Sequence, residues 1–180
     1  MTRCYVVVEG RDDEVVLRHL LEPSNGTAQL EFRVAGGRSA ADSLARSLLA
    51  SARGDVALVV DSDSVDPGLI AERKGFLRQS LQAIASPKRW HVTMLEPELE
   101  ALFFRDRDLL ESLVGHPVSD TDLVRGCYEP KRTLGELLGG ASLRLVLEQK
   151  GQSLDLQRMR EQSPICELRD FLRRVTEPAA

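Results

Sequence analysis

The sequence predicts an α/β fold: a four-stranded parallel sheet flanked by helices, with an α-helical C-terminal extension packed on it. Three observations carry this. Over residues 1–104, short β-branched runs alternate with segments of helical apolar spacing, the pattern of parallel βα units. The third of these runs, Val56-Ala-Leu-Val-Val60, is apolar throughout, as a strand covered on both faces must be. Beyond Arg105 the strand signals fade, and glycines at 115, 126, 139, 140 and 151 separate short helical stretches. The expected organisation is a core over 1–104 and a helical extension over 105–180, together one compact domain. A chain of 180 residues suffices for this, since folding at that length hides roughly 70% of the unfolded surface.

Each element has its own warrant. Residues 4–8, Cys-Tyr-Val-Val-Val, form a first strand that stops at Glu9-Gly10. Val15, Val16, Leu17, Leu20 and Leu21 recur at helical spacing over 12–22, and Pro23 closes that segment. Residues 30–35 read as a second strand ending in Gly36-Gly37. Ala41, Leu44, Ala45, Leu48, Leu49 and Ala52 then draw one apolar stripe along a helix that Gly54 ends. After the third strand, Asp66-Pro67 has the form of an N-cap followed by proline at the first helical position. Ile70, Leu77, Leu81 and Ile84 continue that helix toward Pro87. Residues 90–95 make the fourth strand, followed by Glu96-Pro97 and a helix carrying Leu99, Leu102, Phe103 and Phe104. A last helix starts at Ser163-Pro164.

Composition narrows the function classes. With 42% hydrophobic and 29% charged residues, a disordered or low-complexity chain is excluded. The net charge of −4 supplies no global basic field, so a polyanion would need a local basic patch or bound metal ions. Aromatic residues are only 4%, which disfavours binding of single strands by base stacking alone. Cys4, Cys127 and Cys166 lack CxxC spacing, and His19, His91 and His116 show neither HxH nor HExxH. No Walker A loop, GxGxxG or GxSxG occurs. The apolar runs are far shorter than a bilayer span and the first residues carry no leader pattern, so a cytoplasmic protein without membrane contact is expected.

Ligands of open parallel sheets bind beyond the carboxyl ends of the strands. There the sequence places Glu9 after the first strand, Asp61 and Asp63 after the third, and Glu96 after the fourth. In an extended turn Asp61 and Asp63 would point the same way. Joined by Glu9, they make an oxygen-rich site for a hard divalent cation. Asp66 doubles as helix cap and candidate ligand, and Glu98 and Glu100 sit at the next helix start. Gly10, Gly36 and Gly37 would let a phosphate approach the backbone closely.

The segments Val6-Val-Val-Glu9-Gly10-Arg-Asp12-Asp13-Glu14 and Val59-Val60-Asp61-Ser62-Asp63-Ser-Val-Asp66 together resemble the Toprim domain of topoisomerases, primases and OLD-family nucleases. The resemblance covers about residues 3–104 and implies a Toprim-like, Rossmann-like sheet. It implies that Glu9 is a metal ligand or acid/base residue, and that Asp61 and Asp63 hold Mg²⁺ or Mn²⁺, as one or two ions. Glu98-Leu99-Glu100 resembles the Glu-x-Glu segment of the OLD-type branch. With Asp66 it would serve a second metal. Lys131 resembles a lysine that stabilises transition-state charge, and it is one of only four lysines against twenty arginines. Arg38 and Arg132 are further candidates for contacting phosphate. The expected activity is metal-dependent phosphoryl transfer, specifically a nuclease using Glu9, Asp61, Asp63 and Lys131. Nucleic acid, with DNA ahead of RNA, is the expected partner, and a partner ATPase or a homodimer fits as well.

The alternative reading is a catalytically weak metal-binding and regulatory module that acts with a partner protein. A glycosyltransferase clamp leaves Glu9-Gly10 unexplained. Haloacid-dehalogenase and receiver folds place their acidic pair after the first strand rather than the third. No ATPase domain, zinc module or tyrosine-bearing strand-passage domain accompanies the match, and Tyr5 and Tyr128 have no supporting motif. DNA relaxation and primer synthesis therefore receive no support.

Overall fold

The computed structural model describes residues 3–21, 30–51 and 54–176. Four parallel strands, β1 (Cys4–Val8), β2 (Leu30–Val34), β3 (Asp55–Asp61) and β4 (Trp90–Leu95), form one sheet in the order β2-β1-β3-β4. Register pairs Cys4 with Leu30 on one side and with Asp55 on the other, and Val56 with Trp90. The chain leaves β1 toward β2 and then returns past it to β3. The strand order thus reverses between β1 and β3, which places their carboxyl ends on either side of the fold's natural ligand crevice.

Strand alternation sorts the core into two faces. Cys4, Val6 and Val8 of β1 and Ala57 and Val59 of β3 bury against α1 (Arg11–Leu21) and the C-terminal helices. Tyr5, Val7, Val56, Leu58 and Val60 bury on the opposite face. There they meet α2 (Arg38–Ala50) and α3 (Pro67–Gln82). Because both faces are covered, β1 and the interior of β3 are solidly apolar, as the sequence indicates. Asp66 does cap α3: its carboxylate accepts from the N–H groups of Gly68 (2.8 Å) and Leu69 (3.0 Å), with Pro67 in the first turn.

The extension consists of α4 (Arg107–Val114), α5 (Asp120–Gly126), α6 (Pro130–Leu137), α7 (Leu143–Lys150), the single turn α8 (Gln157–Arg160) and α9 (Ser163–Thr176). Ile165, Leu168, Phe171 and Leu172 of α9 share one apolar cluster with β1 and α1. Arg160 ties this region to the end of α1, donating from Nη2 to the His19 carbonyl (2.8 Å) and from Nε to that of Leu20 (3.2 Å).

Two expectations differ from the fold. Residues Leu99–Arg105 wind as a 3₁₀ segment rather than an α-helix. Leu99 through Phe104 are all buried, and the Leu99 N–H is held by the Asp61 carboxylate, so the segment is clamped on every side instead of showing one apolar stripe. Ile84 lies beyond the end of α3 and is exposed. Glu22, Pro23 and Ala52 lie outside the described residues. Among the described residues no helix is long and apolar enough to cross a membrane.

Candidate active site at the carboxyl end of the sheet

Glu9 follows β1 directly and is fixed from both ends. Its carbonyl accepts from the N–H groups of Gly36 (2.9 Å) and Gly37 (3.1 Å), while its Oε1 accepts the N–H of Asp61 (3.0 Å) across the switch point. Gly36 and Gly37 have φ of +86° and +127°, conformations that suit only glycine. Their N–H groups are spent on positioning Glu9. Gly10 is likewise engaged, because its N–H donates to Asp13 Oδ2 at 2.8 Å.

Asp61 ends β3 on the α1 side of the sheet, where its Oδ1 accepts from the Leu99 N–H at 2.9 Å. Asp63 goes the other way. Its φ of +47° breaks the extended path, so the two aspartates do not share a direction. The Ser62 and Asp63 N–H groups donate to the carbonyls of Leu95 (2.8 Å) and Pro97 (2.9 Å), locking this turn against the end of β4. Asp63 itself is exposed and pairs with Arg38, the first residue of α2. Arg38 Nη2 also donates to the Asp61 carbonyl (2.8 Å), and its Nε stands 3.7 Å from Glu9 Oε1.

On the inner side Asp61 has company that the sequence reading left out. Asp13, in the first turn of α1, is only 8% exposed and lies within the field of Asp61, Glu9 and Glu100. Helical spacing places it on the same buried face as Leu17 and Leu20, and that was the available signal. Glu100 is 3% exposed, and its Oε2 has no hydrogen-bond partner among the described residues. Lys131, in the first turn of α6, sits at the exposed rim, while its ammonium lies in the field of Glu100, Asp13, Asp61 and Glu98. Its own backbone N–H donates to Glu98 Oε2 (3.0 Å).

Burial and crowding act together on these groups. Burial first, and then the charges of Asp13, Glu100 and Glu9, push Asp61 up to about 8 against the opposing Leu99 N–H. Burial raises Glu100 to about 7, with Lys131 opposing. Glu9 and Asp13 are raised by burial too, and partly restored by their backbone hydrogen bonds. For Lys131 burial works toward neutrality, but the surrounding carboxylates outweigh it and hold the amine charged.

The remaining candidates have other commitments. Asp66 Oδ1 caps α3, which leaves Oδ2 outside those bonds. Arg132 is exposed and pairs with Glu129 (3.2 Å) and Glu136 (3.2 Å). It nonetheless lines an open cleft of about 750 Å³ with Asp63, Pro97, Glu98, Tyr128 and Lys131. As they stand, no three His, Cys, Asp or Glu side chains among the described residues converge as a ready ligand set. The donors nonetheless suit a hard cation. They are all carboxylates, each of Glu9, Asp13 and Asp61 uses only one oxygen in these backbone bonds, and the buried Glu100 Oε2 is left without a partner. No protein-family model, curated protein or solved structure matches the chain.

Proposed function

We propose that this protein is a Toprim-like, metal-dependent phosphoryl-transfer enzyme that cleaves nucleic-acid phosphodiesters. The observation that carries the reading is the gathering of Asp13, Asp61 and Glu100 in the field of one lysine, with Glu9 bonded to the Asp61 N–H, at the switch point of the sheet. So many part-buried carboxylates in one place need a cation beyond Lys131 to be charged together.

Glu9 and Asp61, joined across β1 and β3, would hold Mg²⁺ or Mn²⁺ from the sheet side, and Asp13 and Glu100 from the helix side. A bound ion would supply Lewis-acid polarisation of a phosphoryl oxygen and activation of water near neutral pH. Lys131 brings a fixed positive charge from the cleft rim toward the phosphate oxygens, where negative charge grows in the transition state. The cleft lined by Asp63, Glu98, Tyr128 and Arg132 is the approach for the polynucleotide backbone. With a net charge of −4, this approach depends on the ion.

The test is cleavage of labelled single- and double-stranded DNA and RNA with Mg²⁺ or Mn²⁺, comparing wild type with folded Glu9→Gln and Asp61→Asn variants. Cleavage lost in both supports the reading. Metal binding without cleavage, seen as a metal-dependent rise in melting temperature, selects the regulatory module acting with a partner protein. Absence of both overturns the metal site.

A further inference from the structure

We infer that Arg38 is a resident counter-cation of the outer carboxylates, competing with a divalent ion for Glu9 and Asp63 and yielding to it when a phosphate draws the guanidinium away. The inference rests on the metal-site reading above and adds a device that controls it. One guanidinium spans both strand ends. Nη2 donates to the Asp61 carbonyl (2.8 Å) and to the Asp63 carboxylate, while Nε faces Glu9 Oε1 at 3.7 Å. The Nε is buried and has no hydrogen-bond partner among the described residues, so the bridge is anchored at one end and loose at the other.

The placement is built into the backbone. Arg38 is the first residue of α2, directly after the Gly36-Gly37 turn that grips the Glu9 carbonyl. Asp63 reaches it because φ of +47° turns that side chain out of line with Asp61. A guanidinium and a divalent ion cannot both sit within a few ångströms of the same oxygens without strong repulsion, so occupancy by one expels the other. A guanidinium released into the cleft has a better partner in phosphate, whose oxygens match its planar donor fork. Ion binding at the outer carboxylates and phosphate binding therefore help each other, a coupling of the usual several-fold to hundredfold kind.

The experiment is calorimetric titration with Mn²⁺ alone of the full chain as wild type, Arg38→Met, Arg38→Lys, Asp63→Asn and the Arg38→Met/Asp63→Asn pair. Arg38→Met is expected to bind Mn²⁺ about tenfold more tightly, or to take up an additional equivalent, while Arg38→Lys stays near wild type. In the Asp63→Asn background the gain from removing Arg38 should shrink, because the contested carboxylate is gone. Unchanged or weaker binding by Arg38→Met, or an undiminished gain without Asp63, overturns the inference. Should Arg38→Met fail to fold, a phosphorothioate oligonucleotide added to wild type provides the second measurement. A rise in Mn²⁺ affinity of about tenfold supports the device and no change refutes it. Wild type and every variant failing to bind Mn²⁺ is a different result, which removes the metal site itself.

Discussion

The inner and outer halves of the site are built from the same residue types and behave differently. Inside, Asp61 and Asp13 are tied to backbone N–H groups, Glu100 is buried in the 3₁₀ segment, and all three face a lysine at the rim. Outside, Asp63 stands in solvent and is balanced by a guanidinium at contact distance. Burial makes the inner carboxyls weak acids, whereas Asp63 is exposed and satisfied by a partner of opposite charge. The inner half thus sets several carboxyls against one lysine at the rim, whereas in the outer half one guanidinium meets one exposed carboxylate. On the proposed metal-dependent reading, that contrast would place the first divalent ion in the inner half, with Arg38 opposing an ion at the outer carboxylates.

The largest expected effect comes from removing the inner anchor. Asp61→Asn keeps the hydrogen bond from Leu99 but deletes the charge. It should cut metal-dependent cleavage by about 10²–10³-fold and abolish the Mn²⁺-dependent rise in melting temperature. Asp63→Asn, on the exposed side, should leave that rise largely in place. Equal losses in both variants would erase the distinction between the halves.

The second test is pH. Asp61 at about 8 and Glu100 at about 7 lie above their values in an unfolded chain, near 4. Between those limits the folded state binds more protons than the unfolded state, so stability falls as pH rises. Metal-free protein should accordingly melt at a higher temperature at pH 5 than at pH 8. The loss builds from about pH 4 upward and ends above pH 7–8, once the two groups have ionised in the folded state. Mn²⁺ should remove most of the decline at pH 8, and Asp61→Asn should flatten it without metal. A melting temperature that is level from pH 5 to 8 in the metal-free wild type would show that the inner carboxyls are not crowded.

The two halves also differ in how legible they are in sequence. Strand ends, the Asp66-Pro67 cap and the apolar stripe of α2 are local patterns, and local periodicity reports them well. Glu9 and Asp61 were readable because each directly follows or ends a buried strand. Their mutual bond, 52 residues apart in sequence, was not. The outer half fails for a different reason. Alternation assumes an extended chain, and Asp63 leaves that region at one dihedral, so that its carboxylate meets Arg38 while that of Asp61 accepts the Leu99 N–H. Arg38 gave no signal beyond being basic after two glycines, since its role depends on carboxylates 25 residues ahead and 29 behind, at Asp63 and Glu9. Asp13 was hidden in an acidic run that suits any helix start.

The smallest effects on stability should come from the cations at the cleft rim, and the two of them should divide along the same line. Lys131 faces four carboxylates, so Lys131→Met removes the inner half's own counter-charge, raises the folded-state pKa of those carboxyls further, and should deepen the pH-dependent loss of stability and extend it to higher pH. Arg132 pairs only with exposed Glu129 and Glu136, and such pairs are worth about 0–1 kcal/mol. Arg132→Ala should therefore leave the melting temperature, its pH dependence and Mn²⁺ affinity close to wild type, with cleavage changed by no more than about twofold, roughly 0.4 kcal/mol. Melting curves of both variants between pH 5 and 9 decide the matter. An Arg132→Ala curve displaced as far as that of Lys131→Met would mean that the inner field extends to the open face of the cleft, and that the boundary between the halves lies further out than Lys131.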